Sequence, residues 1–509
     1  MKTMIYSLAL CASLACLASC SDDDSSLTQR DWEGTDTYFA SEPLGQSSLF
    51  YKPAVGFVGD PMPFYDPQSN DFKILYLQDF RPNQALTYHP IWCVTTKDAA
   101  SYESLGEIVP CGASTELDAA LGTGSCFFDN GTYYIFYTAH SPNFSQTAGI
   151  NEAVMVATST DFKTWKKDRA FLLDGGDTYS LTDYRDPFVW KGDDGKYHMI
   201  VSTRKNGKGV LAEYLSDNLK DWTSNGEFMT MMWDRFYECP DVFKMGDWWY
   251  LIYSEQHDAV RRVQYFKGRT LDELKACTAN DAGIWPDSHE GFLDGRGFYA
   301  GKTASNGTDR YIWGWSASKN GSATNGTRDW AGYLVAHKLI QHPDGTLTLG
   351  EVPAIESKLG AVKSIESFSM NAGEHKLLPR LGTTNRIHMT LTASADARFG
   401  FSFGRGSDSE SYYSLIVNPE GGSNRKINLE QEGGAGFIGD NDSYLFQAPE
   451  NGVYDITIVT DNCTLALYIN DTLCYTNVIY GIRNNGWSVN CYDGSVNVTE
   501  PGVASATEI

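Results

Sequence analysis

A hairpin signal that recurs at a nearly constant interval constrains the fold of this chain more than any other feature. A polar turn followed by an alternating, aromatic-rich strand occurs five times, with the turns counted from Asp71, Gly131, Gly195, Asp247 and Asp309. The intervals between these turns are 60, 64, 52 and 62 residues. Asn-Gly and Asp-Gly turns favour hairpins because their residues accept positive φ, and aromatic side chains favour strands. Five copies of a four-stranded unit predict an all-β fold, a five-bladed β-propeller, over residues 50–356.

The composition agrees with a folded β protein. Of the 509 residues, 13% are aromatic and 20% are charged, which excludes wholesale disorder. The alternative for the repeats is a β-sandwich whose hairpins resemble one another by chance. Beyond Glu356, short alternating strands such as Tyr454–Asp461 and glycine-rich joints indicate a second domain over residues 357–509.

Residues 1–19 have the pattern of an export signal, because Lys2 precedes an apolar run that is too short to span a membrane. The sequence Leu17-Ala18-Ser19-Cys20 resembles the bacterial lipobox, which implies lipidation of Cys20. The following Ser21-Asp22-Asp23-Asp24 resembles the tag that carries Bacteroidota lipoproteins to the cell surface. We therefore expect an exported protein, lipid-anchored at the outer membrane, with residues 20–49 as tether and lead-in. The alternative is an ordinary cleaved signal in which Cys20 is incidental.

The charge and the cysteine spacing limit the kinds of partner and ligand that we expect. The chain carries 64 acidic and 40 basic side chains, a formal net charge of −24, which disfavours a nucleic-acid partner because phosphate backbones are repelled. The eight cysteines beyond Cys20 form no Cys-x-x-Cys pair and no zinc-like spacing with histidine. We expect no metal and no cofactor.

Three carboxylates lie at a similar distance before three of the turns. The first strand of a propeller blade faces the central channel and should lie about ten residues upstream of the turn, where Asp60, Asp186 and Glu238 are found. A proline follows each acid directly or after one residue, and we expect it to hold the acid in extended geometry. A single acid-proline pair ordinarily marks a turn, whereas three in register predict convergence on one pocket.

Converging carboxylates suit the hydrolysis of a glycosidic bond, in which one group protonates the leaving oxygen and another attacks or activates water. Mutual repulsion is expected to raise the pKa of one acid, which then donates the proton near neutral pH. The third acid is free to bind sugar hydroxyls. Aromatic rings near the acids offer flat faces for sugars: Phe57, Tyr65, Tyr184, Phe188, Tyr237, Phe298 and Tyr299.

The motifs Gly59-Asp60-Pro61, Arg185-Asp186-Pro187 and Glu238-Cys239-Pro240 resemble, in this order, the signature of glycoside hydrolase family 32, the β-fructosidases. The resemblance extends over roughly residues 50–356, and it implies a β-sandwich for the C-terminal domain. It also implies that Asp60 is the nucleophile, Glu238 the general acid/base and Asp186 the transition-state stabiliser.

The same resemblance implies further substrate contacts at Arg185, Gln78 and Ser125, and two of the aromatic residues named above, Phe57 and Tyr299, complete the predicted contacts. The chain also departs from the family pattern. The family has asparagine before the aspartate and after the proline, where this chain has Gly59 and Met62. These changes remove amide groups that would contact the fructosyl ring, so we expect a reshaped pocket.

The resulting hypothesis is a retaining hydrolase of β-fructosidic bonds in fructans or fructo-oligosaccharides. Three alternatives stay open at this point. They are a surface fructan-binding lipoprotein without turnover, an intramolecular fructotransferase, and a related five-bladed hydrolase that acts on arabinosides. The presence of all three acids argues against a pure binding protein, which needs no proton donor.

Overall fold

A computed structural model of the chain describes residues 49–80, 89–141, 149–231, 235–255, 261–277, 291–405, 412–418, 427–432 and 448–506. Cys20 and the rest of the predicted signal and tether, up to residue 48, lie outside these residues. Among the described residues, no helix is both long enough and apolar enough to cross a membrane.

The first 19 strands form five antiparallel blades. The first blade comprises β1 (Phe57–Asp66), β2 (Asp71–Asp79), β3 (Ile91–Thr96) and β4 (Glu103–Val109), and the second comprises β5 (Ala120–Asp129), β6 (Thr132–His140), β7 (Glu152–Ser159) and β8 (Lys166–Lys167). The third comprises β9 (Tyr184–Lys191), β10 (Tyr197–Lys205), β11 (Lys208–Ser216) and β12 (Thr223–Thr230), and the fourth β13 (Glu238–Met245), β14 (Trp248–Glu255) and β15 (Arg262–Gly268), followed by helix α1 (Leu271–Ala276). The fifth comprises β16 (Phe298–Ser305), β17 (Arg310–Lys319), β18 (Arg328–Gln341) and β19 (Leu347–Gly350).

Each of the five predicted turns joins the first and second strands of one blade, as the hairpin signals indicated. In the second blade Asn130 and Gly131 both have positive φ, 47° and 79°, which matches the twist that a two-residue hairpin requires. The first strands contact one another in cyclic order, from β1 through β5, β9, β13 and β16 back to β1. They therefore surround a central channel, and the five-bladed propeller is confirmed.

The first strands share a β-bulge at the same depth. In β1, β9, β13 and β16 the pairing register shifts at this point, and the bulged residues Asp60, Asp186, Cys239 and Ala300 have φ of 27°, 60°, 51° and 54°. The expectation of extended geometry is therefore wrong for Asp60 and Asp186, because the bulge places both in the left-handed region. Glu238 lies one residue before its bulge, so the three acids are not strictly in register.

The remaining strands form a β-sandwich of two sheets. They are β20 (Lys363–Ser364), β21 (Phe368–Asn371), β22 (His375–Leu378), β23 (Thr384–Ala393), β24 (Arg398–Arg405), β25 (Tyr412–Val417), β26 (Ile427–Glu432), β27 (Val453–Asp461), β28 (Thr464–Ile469), β29 (Leu473–Val478), β30 (Gly486–Asp493) and β31 (Ser495–Ser505). One sheet has the order β20-β31-β23-β27-β28-β29, with β21 beside β31, and the other has the order β22-β30-β24-β25-β26. Alternate residues from both sheets, such as Ile387 and Phe401, fill a common buried core. The C-terminal sandwich is thus confirmed.

Buried polar contacts join the two domains. Asp294, which precedes the fifth blade, accepts hydrogen bonds from the backbone N–H and the hydroxyl of Thr476 at 2.8 and 2.5 Å. His337 of β18 lies 2.8 Å from the hydroxyl of Tyr468. Because all these groups are buried, the sandwich has a fixed position against the fifth blade.

Candidate active site

A cavity of about 750 Å³ lies where the first strands meet, and Asp60, Asp186 and Glu238 all line it. This volume is in the upper part of the range for small-molecule sites, so the cavity has room for more than one sugar ring. Polar and aromatic side chains from all five blades share the lining. The structure therefore brings the three predicted acids together.

Asp60 is held by two donors from different blades. Its Oδ1 accepts a hydrogen bond from the indole Nε1 of Trp315 at 2.9 Å, and its Oδ2 accepts one from the hydroxyl of Thr123 at 3.0 Å. Burial raises the pKa of Asp60, the two hydrogen bonds lower it, and the negative charge of Glu238 raises it; the net effect is upward. The carboxylate is thus fixed in orientation while it faces the cavity.

Asp186 is the most buried of the three acids, with 4% of its surface exposed. Its Oδ2 accepts a hydrogen bond from the backbone N–H of Cys239 at 2.8 Å. Its own N–H donates to the hydroxyl of Thr138, which in turn donates to the carbonyl of Thr123. Burial is the main cause that raises the pKa of Asp186 to about 7, with the charge of Glu238 adding to it and the neighbouring Arg185 opposing it. The sequence predicts a raised pKa for the acid that donates the proton. The pKa near neutrality instead belongs to Asp186, which the resemblance assigns to transition-state stabilisation.

Glu238 lies between a cation and a phenol. Arg185 Nη2 donates to its Oε1 at 3.3 Å, and the Tyr299 hydroxyl donates to its Oε2 at 2.5 Å. Arg185 also donates to Glu152 at 3.3 Å and to Asp183 at 3.0 Å. Burial lowers the pKa of Arg185, but Glu152 and Glu238 raise it more. The guanidinium therefore stays charged and orients Glu238 from the side of the third blade.

Of the predicted substrate contacts, Arg185 and Tyr299 line the cavity and the other three do not. Gln78 is buried, and its amide nitrogen donates to the backbone carbonyl groups of Val55 and Asp79. The Ser125 hydroxyl accepts the N–H of Val189 inside the wall. Phe57 packs edge-to-face on Tyr333 with 5.6 Å between ring centroids. These three side chains stabilise the wall behind the site rather than its surface.

Sequence reasoning missed several residues that the structure places in the cavity: Thr123, Trp315, Glu152, His140, Arg261 and Trp330. Thr123 stands two residues before the predicted contact Ser125, so a signal for it was present. Of the seven aromatic residues expected near the sugar, only Tyr299 lines this cavity among the described residues. Tyr184, Tyr237 and Phe298 are buried in the packing of the blades instead.

One group of metal-type ligands occurs within the described ranges, and it lies apart from the acids. Asp294, His337 and Cys474 offer ligand atoms within 4.8 Å of one another at the domain interface. Asp294 already accepts hydrogen bonds from Thr476, Gly295 and Cys474. The group is therefore explained by its own hydrogen bonds, and the expectation of no metal stays a prediction.

Comparison with known families decides the classification. Residues 50–350 match the family described as "Glycosyl hydrolases family 32 N-terminal domain". Residues 345–503 match the family described as "GH32, BT1760-like, C-terminal domain". The chain belongs to glycoside hydrolase family 32. As a family 32 protein it is 25% identical over 354 residues to a sucrose-6-phosphate hydrolase of Zymomonas mobilis, an alignment that covers 64% of this chain and 65% of that protein. It is also 23% identical over 363 residues to an insoluble beta-fructofuranosidase isoenzyme of Arabidopsis thaliana, which covers 65% of this chain and 59% of that protein.

Solved structures show the same two-domain fold. A sucrose-6-phosphate hydrolase from Lactobacillus gasseri superposes with a TM-score of 0.71 at 18% identity, covering 94% of this chain and 98% of that one. A fructan 1-exohydrolase IIa from Cichorium intybus, in complex with 1-kestose, gives a TM-score of 0.72 at 14% identity, covering 92% and 98%. At these identities the likeness concerns the fold.

Proposed function

We propose that this family 32 protein is a retaining glycoside hydrolase that cleaves β-fructosidic bonds in fructans or fructo-oligosaccharides. The observation that carries the proposal is the meeting of Asp60, Asp186 and Glu238 on one open cavity, each with different hydrogen-bond partners. The relatives named as beta-fructofuranosidase and sucrose-6-phosphate hydrolase support the same bond type. The alignments cover 65% and 59% of the length of those two proteins, so the substrate belongs to the proposal.

Asp60 is the nucleophile in this mechanism. Trp315 and Thr123 each bind one of its oxygens, which fixes the carboxylate relative to the anomeric carbon of a bound fructosyl unit. Attack by Asp60 forms a covalent fructosyl ester as the bond to the leaving oxygen breaks. Glu238 donates its proton to that oxygen and becomes a carboxylate, which Arg185 and Tyr299 stabilise.

The second step reverses these roles. Glu238 takes a proton from water, the water oxygen attacks the anomeric carbon, and Asp60 leaves as a carboxylate. Asp186 is the most buried of the three acids, and burial is the main cause that raises its pKa to about 7. Its carboxyl group lines the cavity, where it can hydrogen-bond a fructosyl hydroxyl, and this bond stabilises the transition state where it strengthens as charge develops.

Incubation of the purified protein with inulin, levan and sucrose tests the proposal. We expect reducing sugars from at least one of these substrates, and Asp60→Asn should lower the rate by at least about a thousandfold because the nucleophile is lost. Asp247→Asn is the matched control, since this side chain is 90% exposed at the far end of the fourth blade. The proposal would be refuted if the wild type released no sugar from any of the three substrates and could not be distinguished from Asp60→Asn.

The products also distinguish the alternatives. Cyclic difructose products by mass spectrometry would indicate an intramolecular fructotransferase, and activity on arabinan but not on fructans would indicate an arabinoside hydrolase. Tight fructan binding by calorimetry without any product would indicate a binding protein. Free fructose or fructo-oligosaccharides support hydrolysis.

We propose in addition that the protein is exported and attached to the outer membrane by lipid on Cys20. The support is the lipobox-like Leu17-Ala18-Ser19-Cys20 and the acidic residues that follow it. Several acyl chains on one cysteine anchor a protein stably, because each buried methylene contributes about 0.8 kcal/mol.

Labelling with an alkyne analogue of palmitate, in a bacterium that processes lipoproteins, tests the anchor. We expect label on the wild type and on Cys16→Ser, which keeps Cys20, and none on Cys20→Ser. Label that survives in Cys20→Ser, or an unmodified mature N-terminus in the wild type, would overturn this proposal and favour an ordinary cleaved signal.

A further inference from the structure

Trp330 is an exposed aromatic residue on the wall of the active-site cavity. Its side chain is 39% exposed, and among the described residues only four other large apolar side chains reach such exposure: Leu105, Leu172, Val362 and Leu377. Of these five, Trp330 alone lines the cavity that contains the three acids. An indole ring at such a place offers a flat apolar face within reach of a bound sugar.

The backbone around Trp330 is fixed by close packing. The next residue, Ala331, has a left-handed φ of 67°. Gly332 then pairs with Val58 of β1, and a Cβ at Gly332 would lie only 1.8 Å from the carbonyl oxygen of Ser316. The indole therefore projects from a strand that is bonded on both sides, rather than from a loose loop.

Gly59 makes the space that the indole occupies. A Cβ at Gly59 would lie 2.4 Å from Cη2 and 2.6 Å from Cζ2 of Trp330, closer than real side chains allow. The ring of His89 lies against the same indole, with 4.5 Å between ring centroids. The indole thus contacts both His89 and the residue that directly precedes Asp60, and 39% of Trp330 stays exposed.

We propose that Trp330 is a specificity-determining residue that binds the apolar face of the fructosyl unit next to the one positioned at Asp60, and that Gly59 is required to admit its ring. This inference rests on the proposed function, because it assigns a subsite to the same cavity. The cavity of about 750 Å³ extends from Asp60 to Trp330 and accommodates the second sugar ring.

Binding and turnover are measured separately. Inulin-type and levan-type tetrasaccharides are titrated into Asp60→Asn, in which cleavage is blocked, and into Asp60→Asn with Trp330→Ala. We expect loss of the ring to raise the Kd for the preferred tetrasaccharide about tenfold, with Trp330→Phe recovering most of the affinity. Equal Kd values with and without the indole would overturn the inference. Failure of the proposed function shows itself independently, as absence of product with the wild type.

The pairing of Gly59 with Trp330 has its own test. Gly59→Ala should weaken tetrasaccharide binding by several-fold when Trp330 is present, because the new methyl group displaces the indole, and should have little further effect when Trp330 is alanine. Gly382→Ala serves as the matched control, since its Cβ would meet no atom closer than 3.5 Å. An equal loss in both backgrounds would contradict the role assigned to Gly59.

Discussion

Replacement of Thr123 by valine is the most informative small change to the site. The two side chains have nearly the same shape, so the substitution removes the hydroxyl that donates to Asp60 Oδ2 at 3.0 Å and leaves the volume almost unchanged. Trp315 still donates to the other oxygen at 2.9 Å. The nucleophile therefore keeps one of its two side-chain donors.

The expected change in the pKa of Asp60 follows from the negative charge of its carboxylate, which accepts the hydrogen bond from Thr123. A hydrogen bond to an ionised group contributes about 1.5–3 kcal/mol, and 1.36 kcal/mol corresponds to one pH unit in a titration. The lost bond favours the carboxylate over the protonated acid, so its removal raises the pKa of Asp60 further above its ordinary range. Because attack needs the carboxylate, the acidic limb of the activity profile should move to higher pH by about one to two units.

The assay is the pH dependence of kcat/KM for release of fructose from the preferred substrate, since this ratio reports groups of the free enzyme. Thr158→Val, in the third strand of the same blade, controls for the loss of a threonine hydroxyl away from the acids. An acidic limb that stays in place in a folded Thr123→Val protein would show that this hydroxyl does not stabilise the carboxylate of Asp60.

Three further changes test other contacts. Tyr299→Phe removes the donor to Glu238 and should lower kcat about tenfold or more, with unchanged kcat counting against a role for the phenol. Ser125→Ala removes a buried acceptor and should cost about 1–3 kcal/mol of unfolding free energy, measured in urea, while KM stays within about twofold; a large rise in KM would return Ser125 to the substrate site. Asp294→Ala leaves Thr476 without its carboxylate partner and should lower the midpoint of thermal unfolding by several degrees, whereas an unchanged midpoint would show that this contact does not hold the domains together.

Much of the fold could be predicted because its signals are local. The turn at Asn130 and Gly131 specifies its hairpin within a few residues, and the same signal recurs once per blade. The way the blades close into a ring was inferred from the period alone. The contact of β16 with β1 joins residues that are more than 200 positions apart, and no local pattern encodes it.

The site was less predictable, because small shifts of register decide which side chains reach the cavity. In the first and third blades the bulge of the first strand gives Asp60 and Asp186 a left-handed backbone conformation. In the fourth blade Cys239 has that conformation, and Glu238 precedes it. In the second blade Thr123 is the residue at the bulge that reaches Asp60, and Ser125, two positions further on, is buried in the wall. A count of residues from the turn does not resolve such single steps.

Aromatic residues were misassigned for a different reason. Between the blades large rings fill space, so an aromatic residue next to an acid in the sequence is more often core than sugar contact. Tyr184 and Tyr237 are of this kind. Trp330, in contrast, comes to the acids only because β18 pairs with β1 beside Gly59, a contact between the last and the first blade.

Trapping of the covalent intermediate tests directly whether Asp60 is the nucleophile. Glu238→Gln is treated with a fructosyl fluoride, whose leaving group needs no proton, and the digested protein is analysed by mass spectrometry. We expect the peptide that contains Asp60 to gain the mass of one fructosyl residue, and Asp60→Asn to abolish this gain. Release of fructose from the fluoride without any adduct, or an adduct on a peptide that lacks Asp60, would contradict the assignment of Asp60 as nucleophile.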